Sequence, residues 1–320
     1  MNKKHAVILV NLGTPEQDDV KSVKAFLKQF LSDKRVVDLP RILWLPLLNG
    51  IILPFRSKKA TKAYKKIWTP EGSPLRIYTE RLVEKLGIEL EKHEVISEFA
   101  MTYGKPSIAD TINKLEKQGI TDLTIIPLYP QFSVSTTAPV FDQISDLVKR
   151  KNNFPAINFK SNYYDHPLFI DALCQSIKNQ WKKTGQSEKL VFSFHGIPKR
   201  YVKNGDPYQS HCERTTELVV KQLGLTESQY LLAYQSRFGK EEWLTPYVDL
   251  ELEALAKSGC ASIDVLCPAF ATDCLETLEE MALENKELFL EAGGKSFNYI
   301  PCLNDDDNQV ALMKQLTIEK

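Results

Sequence analysis

Short, nearly continuous apolar runs recur along this sequence, and each gap between them carries helical patterning. The first, HAVILVNLG at residues 5–13, lacks the polar alternation of a half-exposed strand. Such a run suits a strand covered on both faces, as in parallel sheets. Runs of the same kind stand at 95–103, 122–129, 157–163, 190–194, 230–235, 263–266 and 297–300. Helices are expected at about 18–31, where Val23, Phe26, Leu27, Phe30 and Leu31 form a core stripe, and from Gly72-Ser73-Pro74-Leu75 to about 91. Others are expected at 107–118, 137–151 and 273–290. Strands and helices alternating at this spacing predict an α/β chain of doubly wound parallel sheets.

At 320 residues there is room for two domains or one large one, and 43% hydrophobic residues suffice for a packed core without staples. An internal echo favours two similar halves. Leu128-Tyr129-Pro130-Gln131-Phe132-Ser133-Val134 and Leu266-Cys267-Pro268-Ala269-Phe270-Ala271-Thr272 both read L-x-P-x-F, then small, then β-branched, each at a strand's end before a helix. Two doubly wound domains facing each other would bring both motifs to one cleft. The 41 basic and 41 acidic residues cancel, which argues against a nucleic-acid binder relying on bulk charge. No N-terminal segment has signal-peptide form. The longest apolar tract, 42–55, is broken by Pro46, Asn49 and Gly50 and is too short to span a bilayer. The six cysteines (174, 212, 260, 267, 274 and 302) include no C-x-x-C pair, and their spacing fits neither a zinc ribbon nor a common iron–sulfur pattern. Reduced thiols in a cytoplasmic protein follow from this.

Two strand ends carry the candidate chemistry. In LVFSFHGIPKRYVKNGDPY, residues 190–208, a buried strand runs into His195, and Gly196 and Pro198 then turn the chain into a loop. Ligands of open α/β sheets bind beyond the carboxyl ends of the strands, so His195 stands at a site's usual address. The plainer reading is a histidine satisfied by loop carbonyls. The second stretch, LCPAFATDCLETLEE at 266–280, has the same strand-then-loop form. An α-helical wheel over 273–290 puts Leu275, Leu278, Met281, Ala282 and Phe289 on one face and Glu276, Glu280, Glu284 and Glu287 on another. Asp273 is expected to cap this helix. Glu284 and Glu287 read as a solvated face, whereas Glu276 and Glu280 lie in the turns nearest the crevice. Two carboxylates one turn apart can hold a divalent cation briefly or pass protons, and oxygen with imidazole ligands suits Fe²⁺. Gly13, after the first strand, is expected to let the backbone approach a ligand. Residues 42–66 join an apolar tract without clear periodicity to RSKKATKAYKK, six basic residues with no acid. That pairing suits a flat ligand bearing carboxylates, or shallow contact with anionic lipid, or simply core followed by a solvated basic helix.

These residues resemble ferrochelatases, the enzymes that insert ferrous iron into protoporphyrin. Ser193-Phe194-His195-Gly196-Ile197-Pro198 with Gly205-Asp206-Pro207-Tyr208 is similar to the family's signature, and Asp273-Cys274-Leu275-Glu276-Thr277-Leu278-Glu279-Glu280 to its acidic segment. Tyr234-Gln235-Ser236-Arg237 with Trp243-Leu244 and Pro246 matches a further block, and Asn11-Leu12-Gly13-Thr14-Pro15 and Gly72-Ser73-Pro74-Leu75 add weaker matches. The likeness runs from Asn11 to about Asn304 and is closest to the Gram-negative, protoporphyrin-using type. It implies two Rossmann-like domains with the active cleft between them: 1–155 with an apolar lip at 42–55, and 156–304 carrying His195 and Glu276. A C-terminal helix at 305–320 packs back on the first domain. His195, Glu276 and Glu280 would be catalytic, with His195 and Glu276 also the metal contacts. Leu12, Tyr64, Tyr103, Trp243 and Phe270 are the candidates for flat apolar contact with the macrocycle, and Arg237 would lie beside it. Three departures matter. Leu12 stands where some members have tyrosine, and Cys274 where part of the family has histidine. The chain lacks the cysteine-bearing C-terminal extension of animal members, so no iron–sulfur cluster is expected.

The reading is thus a ferrochelatase with protoporphyrin IX and Fe²⁺ as substrates and no permanently bound cofactor. It is expected to be a cytoplasmic monomer, with peripheral contact at the inner face of the membrane through 42–66 and no nucleic-acid partner. The alternatives are a cobalt or nickel chelatase of another tetrapyrrole, a coproporphyrin-using enzyme, and a haem carrier without turnover. Neither G-x-S-x-G, G-x-G-x-x-G nor a Walker motif is present, which weighs against a serine hydrolase and against nucleotide use.

Overall fold

A computed structural model describes residues 4–239 and 241–319. Among them eight strands form two parallel four-stranded sheets. The strands are β1 (His5–Asn11), β2 (Val95–Met101), β3 (Asp122–Pro127), β4 (Ala156–Phe159), β5 (Lys189–His195), β6 (Tyr230–Gln235), β7 (Ser262–Leu266) and β8 (Ser296–Tyr299). One sheet has the order β2-β1-β3-β4 and the other β6-β5-β7-β8, so the halves share one topology. The chain divides into two compact units. The first comprises the described residues of Met1–Tyr129, Ser133–Asn162 and Asp305–Lys320, and the second Pro130–Phe132 and Tyr163–Asn304.

The buried character of the strands accounts for each half. Ala6 to Val10 of β1 are all fully buried, so both faces of the strand are covered, as parallel pairing with helical crossovers requires. In the first unit Ala6, Ile8 and Val10 pack with Ile112 and Leu115 of helix Ile108–Lys117 and with Val140 and Ile144 of helix Thr137–Val148. In the second, Val191, Ala233 and Val265 pack with Leu252, Met281 and Phe289. The L-x-P-x-F echo follows β3 and β7, which hold the same place in the two sheets. It extends further: Met101 N–H donates to the Pro106 carbonyl (2.8 Å) and Tyr234 N–H to that of Pro246 (2.9 Å), one such return after each edge strand.

Four expectations change. The boundary at 155/156 moves to 162/163, because β4 pairs in parallel with β3 from Asp122↔Ala156 to Ile125↔Phe159 and so completes the first sheet. The change does not touch the C-terminal helix, since Asp307–Ile318 lies in the first unit and packs on helix Pro74–Leu90. The tract 42–55, which showed no periodicity, is helical: Arg41–Leu47, a π-turn at Leu48–Ile52, then helix Leu53–Ile67. A π-turn adds a residue to the ring and shifts the phase of every later side chain, which erases an α-helical pattern. The stretch after β7 is likewise not an α-helix but a π-helix over Glu276–Asn285, followed by Lys286–Glu291.

Gly13 is the fourth. Its φ is +105°, and a Cβ there would sit 1.7 Å from the Tyr103 carbonyl oxygen. The close approach it permits is to the protein's own loop after β2, fixed by Tyr103 N–H donating to the Leu12 carbonyl at 2.9 Å, and not to a ligand. Gly13→Ala is therefore expected to cost about 3 kcal/mol or more of unfolding free energy by denaturant titration, through clash and a left-handed backbone. A variant as stable as its parent would contradict this.

Candidate active site

The candidate site in the second unit lies where the connections from β5 leave to opposite sides, β6 on one flank and β7 on the other. That is the topological switch point at which doubly wound sheets bind ligands. His195 is the last residue of β5, in register with Gln235 at the end of β6. Gly196 follows because little else fits: a Cβ would lie 3.0 Å from the Gln235 carbonyl oxygen and 3.2 Å from the Trp243 ring. Gly196 N–H donates to that Gln235 carbonyl (2.8 Å), and Leu244 N–H donates to the Ile197 carbonyl (3.0 Å). These bonds seat the loop carrying Trp243 against the histidine. The His195 ring then lies 6.4 Å from that of Trp243 and 6.3 Å from that of Phe270.

The imidazole is oriented. His195 Nδ1 is 2.6 Å from the Gly196 carbonyl oxygen, and a carbonyl only accepts, so Nδ1 carries the proton. In the neutral ring this tautomer puts the lone pair on Nε2, the form a proton-abstracting or metal-contacting histidine needs.

The π-helix supplies the carboxylates. With roughly 4.4 residues per turn, steps of four nearly close a turn, so Glu276, Glu280 and Glu284 keep one row as they would in an α-helix. A step of three departs much further, which carries Glu279 out of that row; it is buried, 7% exposed. Glu276 and Glu280 are half-buried, and Glu284 and Glu287 are exposed. Glu280 is gripped from β6. Ser236 N–H donates to its Oε1 at 2.7 Å, the Ser236 hydroxyl donates to Oε2, and Gln235 Nε2 reaches Oε2 at 3.3 Å. Gln235, itself buried, also donates to the Glu276 carbonyl (2.9 Å) and accepts from the Ser193 hydroxyl (2.7 Å). Although the Glu280 side chain is only partly covered, its carboxylate is desolvated, and this pushes its pKa above the ordinary range. The Ser236 hydrogen bonds and the charge of His195 pull the other way, while the like charge of Glu276 adds to the rise.

Asp273 does not cap the helix. Its buried carboxylate accepts from Tyr299 OH (2.6 Å), Asn304 Nδ2 (2.7 Å) and the Thr277 hydroxyl (3.0 Å), and so ties the start of the π-helix to the loop after β8. Cys274 is buried and free. Arg237 is ion-paired with Asp249 (2.8 Å) and stacked over Tyr247 (4.0 Å). Trp243, 6% exposed, is nearly enclosed and its indole N–H lacks a partner.

The remaining candidates belong to the first unit. Leu12 is half-buried just after β1. Tyr103 is 5% exposed and donates its hydroxyl to Asp33 (2.9 Å). Tyr64 is 6% exposed, its ring edge-on to Trp68. Both tyrosines are therefore core-facing. Among the described residues no group of three or more His, Cys, Asp or Glu side chains is arranged to hold a metal ion.

The same fold occurs in solved chelatases. SirB from Bacillus subtilis with Fe³⁺ matches with a TM-score of 0.53 at 12% identity, over 98% of this chain and 96% of that one. CbiX, the terminal enzyme for siroheme biosynthesis in denitrifying bacteria, matches with a TM-score of 0.53 at 11% identity, over 97% of both chains. The likeness places this chain in the chelatase-like α/β fold. Closer relatives narrow this. The chain is 50% identical to ferrochelatase of Vibrio cholerae over 98% of both chains, and 51% identical to that of Hamiltonella defensa over 99% of this chain and 98% of that one. The ferrochelatase family model matches residues 4–320, and this chain belongs to the ferrochelatase family.

The raised proton affinity of Glu280 has a stability consequence. A carboxylate whose folded pKa lies above its unfolded value favours folding most below the unfolded value, about 4.3, and loses that contribution as pH rises through the folded one. Melting temperatures of Glu280→Gln and its parent, compared from pH 4 upward, should therefore shift in favour of the variant as the medium nears neutrality. A difference constant with pH would show an unperturbed carboxylate.

Proposed function

We infer that this protein inserts ferrous iron into protoporphyrin IX to give protohaem, exchanging two pyrrole N–H protons for one Fe²⁺. The observation that carries this is family membership along essentially the whole chain, at about 50% identity to proteins named ferrochelatase. Chelatases of other tetrapyrroles share the fold at only 11–12% identity, so neither a cobalt nor a nickel chelatase is favoured. The exchange moves protons and a cation but no electrons, so it calls for no redox cofactor.

His195 Nε2 is proposed to accept a pyrrole proton. Its Nδ1–H stays on the Gly196 carbonyl, so the ring is held while it charges. Glu280, desolvated and electrostatically coupled to His195, stabilises the imidazolium and takes the proton onward. Glu276, half-buried one turn earlier in the row, is proposed to contact the incoming cation together with His195. Phe270, half-buried beside the imidazole, is proposed to offer flat apolar surface, whereas Trp243, only 6% exposed, supports the histidine from within the fold. Leu12 is proposed as a further apolar contact. Tyr64 and Tyr103 are buried inside the first unit, which disfavours them as direct ligand contacts.

We also propose peripheral contact with an anionic bilayer through the helical tract Arg41–Ile67. Ile42, Leu43, Ile51 and Phe55 are exposed, Ile42 by 84% and Phe55 by 75%, and the six basic residues that follow have no acidic neighbour in the helix. Apolar side chains beside a basic stripe suit shallow insertion under anionic headgroups. Among the described residues no helix is long and apolar enough to cross a membrane.

Anaerobic mixing with protoporphyrin IX and Fe²⁺, followed by porphyrin fluorescence and haem absorbance, should show turnover in the parent. His195→Ala and Glu276→Gln should each lower kcat at least about a hundredfold while porphyrin still binds. Tight binding without turnover in the parent would leave a carrier instead. For the membrane contact, the double variant Ile42→Asp/Phe55→Asp should lose co-sedimentation with phosphatidylglycerol vesicles while keeping the parent's melting temperature. Undiminished sedimentation would remove this tract as the contact.

A further inference from the structure

Among the described residues only Glu94, Ser236 and Asn304 combine a positive φ with a side chain. Glu94 ends a short exposed helical turn. The other two each grip a carboxylate of the segment that carries the acidic row. Asn304 holds Asp273 at 2.7 Å, and Ser236, at φ +66°, holds Glu280. Left-handed backbone costs free energy for any residue but glycine, and it persists only where the surroundings impose it.

We propose that Ser236 is a positioning residue for Glu280, its left-handed backbone aiming its N–H and its hydroxyl at the two oxygens of that one carboxylate. The angle φ sets where a residue's side chain lies relative to its own N–H. At +66° the N–H meets Oε1 at 2.7 Å while the hydroxyl meets Oε2, and Gln235 Nε2 adds a contact at 3.3 Å. The competing explanation is a bare turn out of β6 toward Arg237 and Phe238. Glycine would make that turn without strain. What serine adds is the hydroxyl, and the hydroxyl is spent on Glu280. The grip leaves Glu280 little freedom, so the carboxylate remains within electrostatic reach of His195 through the proton transfer. This inference rests on the reading of Glu280 as the acceptor beyond His195.

The test is a cycle of Ser236→Gly, Glu280→Gln and the double variant in the purified full chain, read as kcat, KM for protoporphyrin IX and melting temperature. Ser236→Gly keeps the N–H and accommodates the backbone. It should fold with a melting temperature within a few degrees of the parent, keep KM within about twofold and lose kcat about tenfold, the scale of one charge-assisted hydrogen bond. In the Glu280→Gln background it should bring no further loss, because residues acting through one group are not additive. Ser236→Ala, which keeps the Cβ, should show the same fall in kcat and covers the case in which the glycine variant does not fold. Parental kcat in Ser236→Gly and Ser236→Ala alongside a slow Glu280→Gln would overturn the proposal alone. So would a full extra loss in the double variant. Parental kcat in Glu280→Gln would overturn the role of Glu280 itself, and this inference with it.

Discussion

A carboxylate leaves water at the end of a sheet only if donors meet it there, and Glu280 is met by Ser236 N–H, the Ser236 hydroxyl and Gln235 Nε2. Much else in the second unit depends on that meeting. Gln235 turns its other end to the Ser193 hydroxyl inside the sheet and donates to the Glu276 carbonyl, so one buried amide joins β5, β6 and the π-helix. Since His195 is in register with Gln235, the bonds that place the helix also fix where its acidic row begins relative to the imidazole. The titratable groups are thus held by Gln235 at the end of β6 and by the residues that directly follow β5 and β6, Gly196 and Ser236.

The π-form of the helix is part of the same constraint. A run of ten residues in this conformation is uncommon, and π-segments concentrate at functional sites. Here side chains from outside and inside the segment take up its backbone: Gln235 on the Glu276 carbonyl, and Asn285 Nδ2 on the Glu280 carbonyl at 2.8 Å. The wider turn sorts three neighbouring glutamates. Glu276 and Glu280 stay in one partly open row, while Glu279 swings to the buried side. An α-helix would leave Glu279 closer to that row and crowd a third carboxylate toward it.

What the sequence disclosed follows from what its patterns can encode. Apolar runs flanked by helical stretches specify buried parallel strands, so the strand positions and the α/β class were legible, and His195 at a strand's end was legible with them. The wheel over 273–290 kept Glu276 and Glu280 together because steps of four survive the change from α to π, and it left Glu279 outside the acidic row, but nothing in it marked the π-form itself. Tract 42–55 looked aperiodic because its π-turn breaks the phase. The first domain's edge was misplaced because β4, only four residues long and half covered, has no local mark of which sheet it joins. Gly13 looked like a ligand-facing glycine because its true neighbour, Tyr103, lies 90 residues further on. The hold of Ser236 on Glu280 is equally non-local. Its only trace was a polar pair, Gln235-Ser236, at the exit of an otherwise apolar strand.

The two halves repeat one topology but not one chemistry. After β1 the chain reads Leu12-Gly13-Thr14-Pro15, and at the end of β5 it reads His195-Gly196-Ile197-Pro198, so a leucine stands where the other half has its imidazole. After β2 comes Tyr103, its hydroxyl closed off on Asp33, where the second half has Ser236 open to Glu280. At this end the first half presents a leucine and a tyrosine closed on Asp33, and the second an imidazole and a serine bonded to a carboxylate. With His195 at the end of β5 and Glu280 held from the end of β6, the imidazole and the gripped carboxylate keep a spacing set by one sheet and the helix bonded to it.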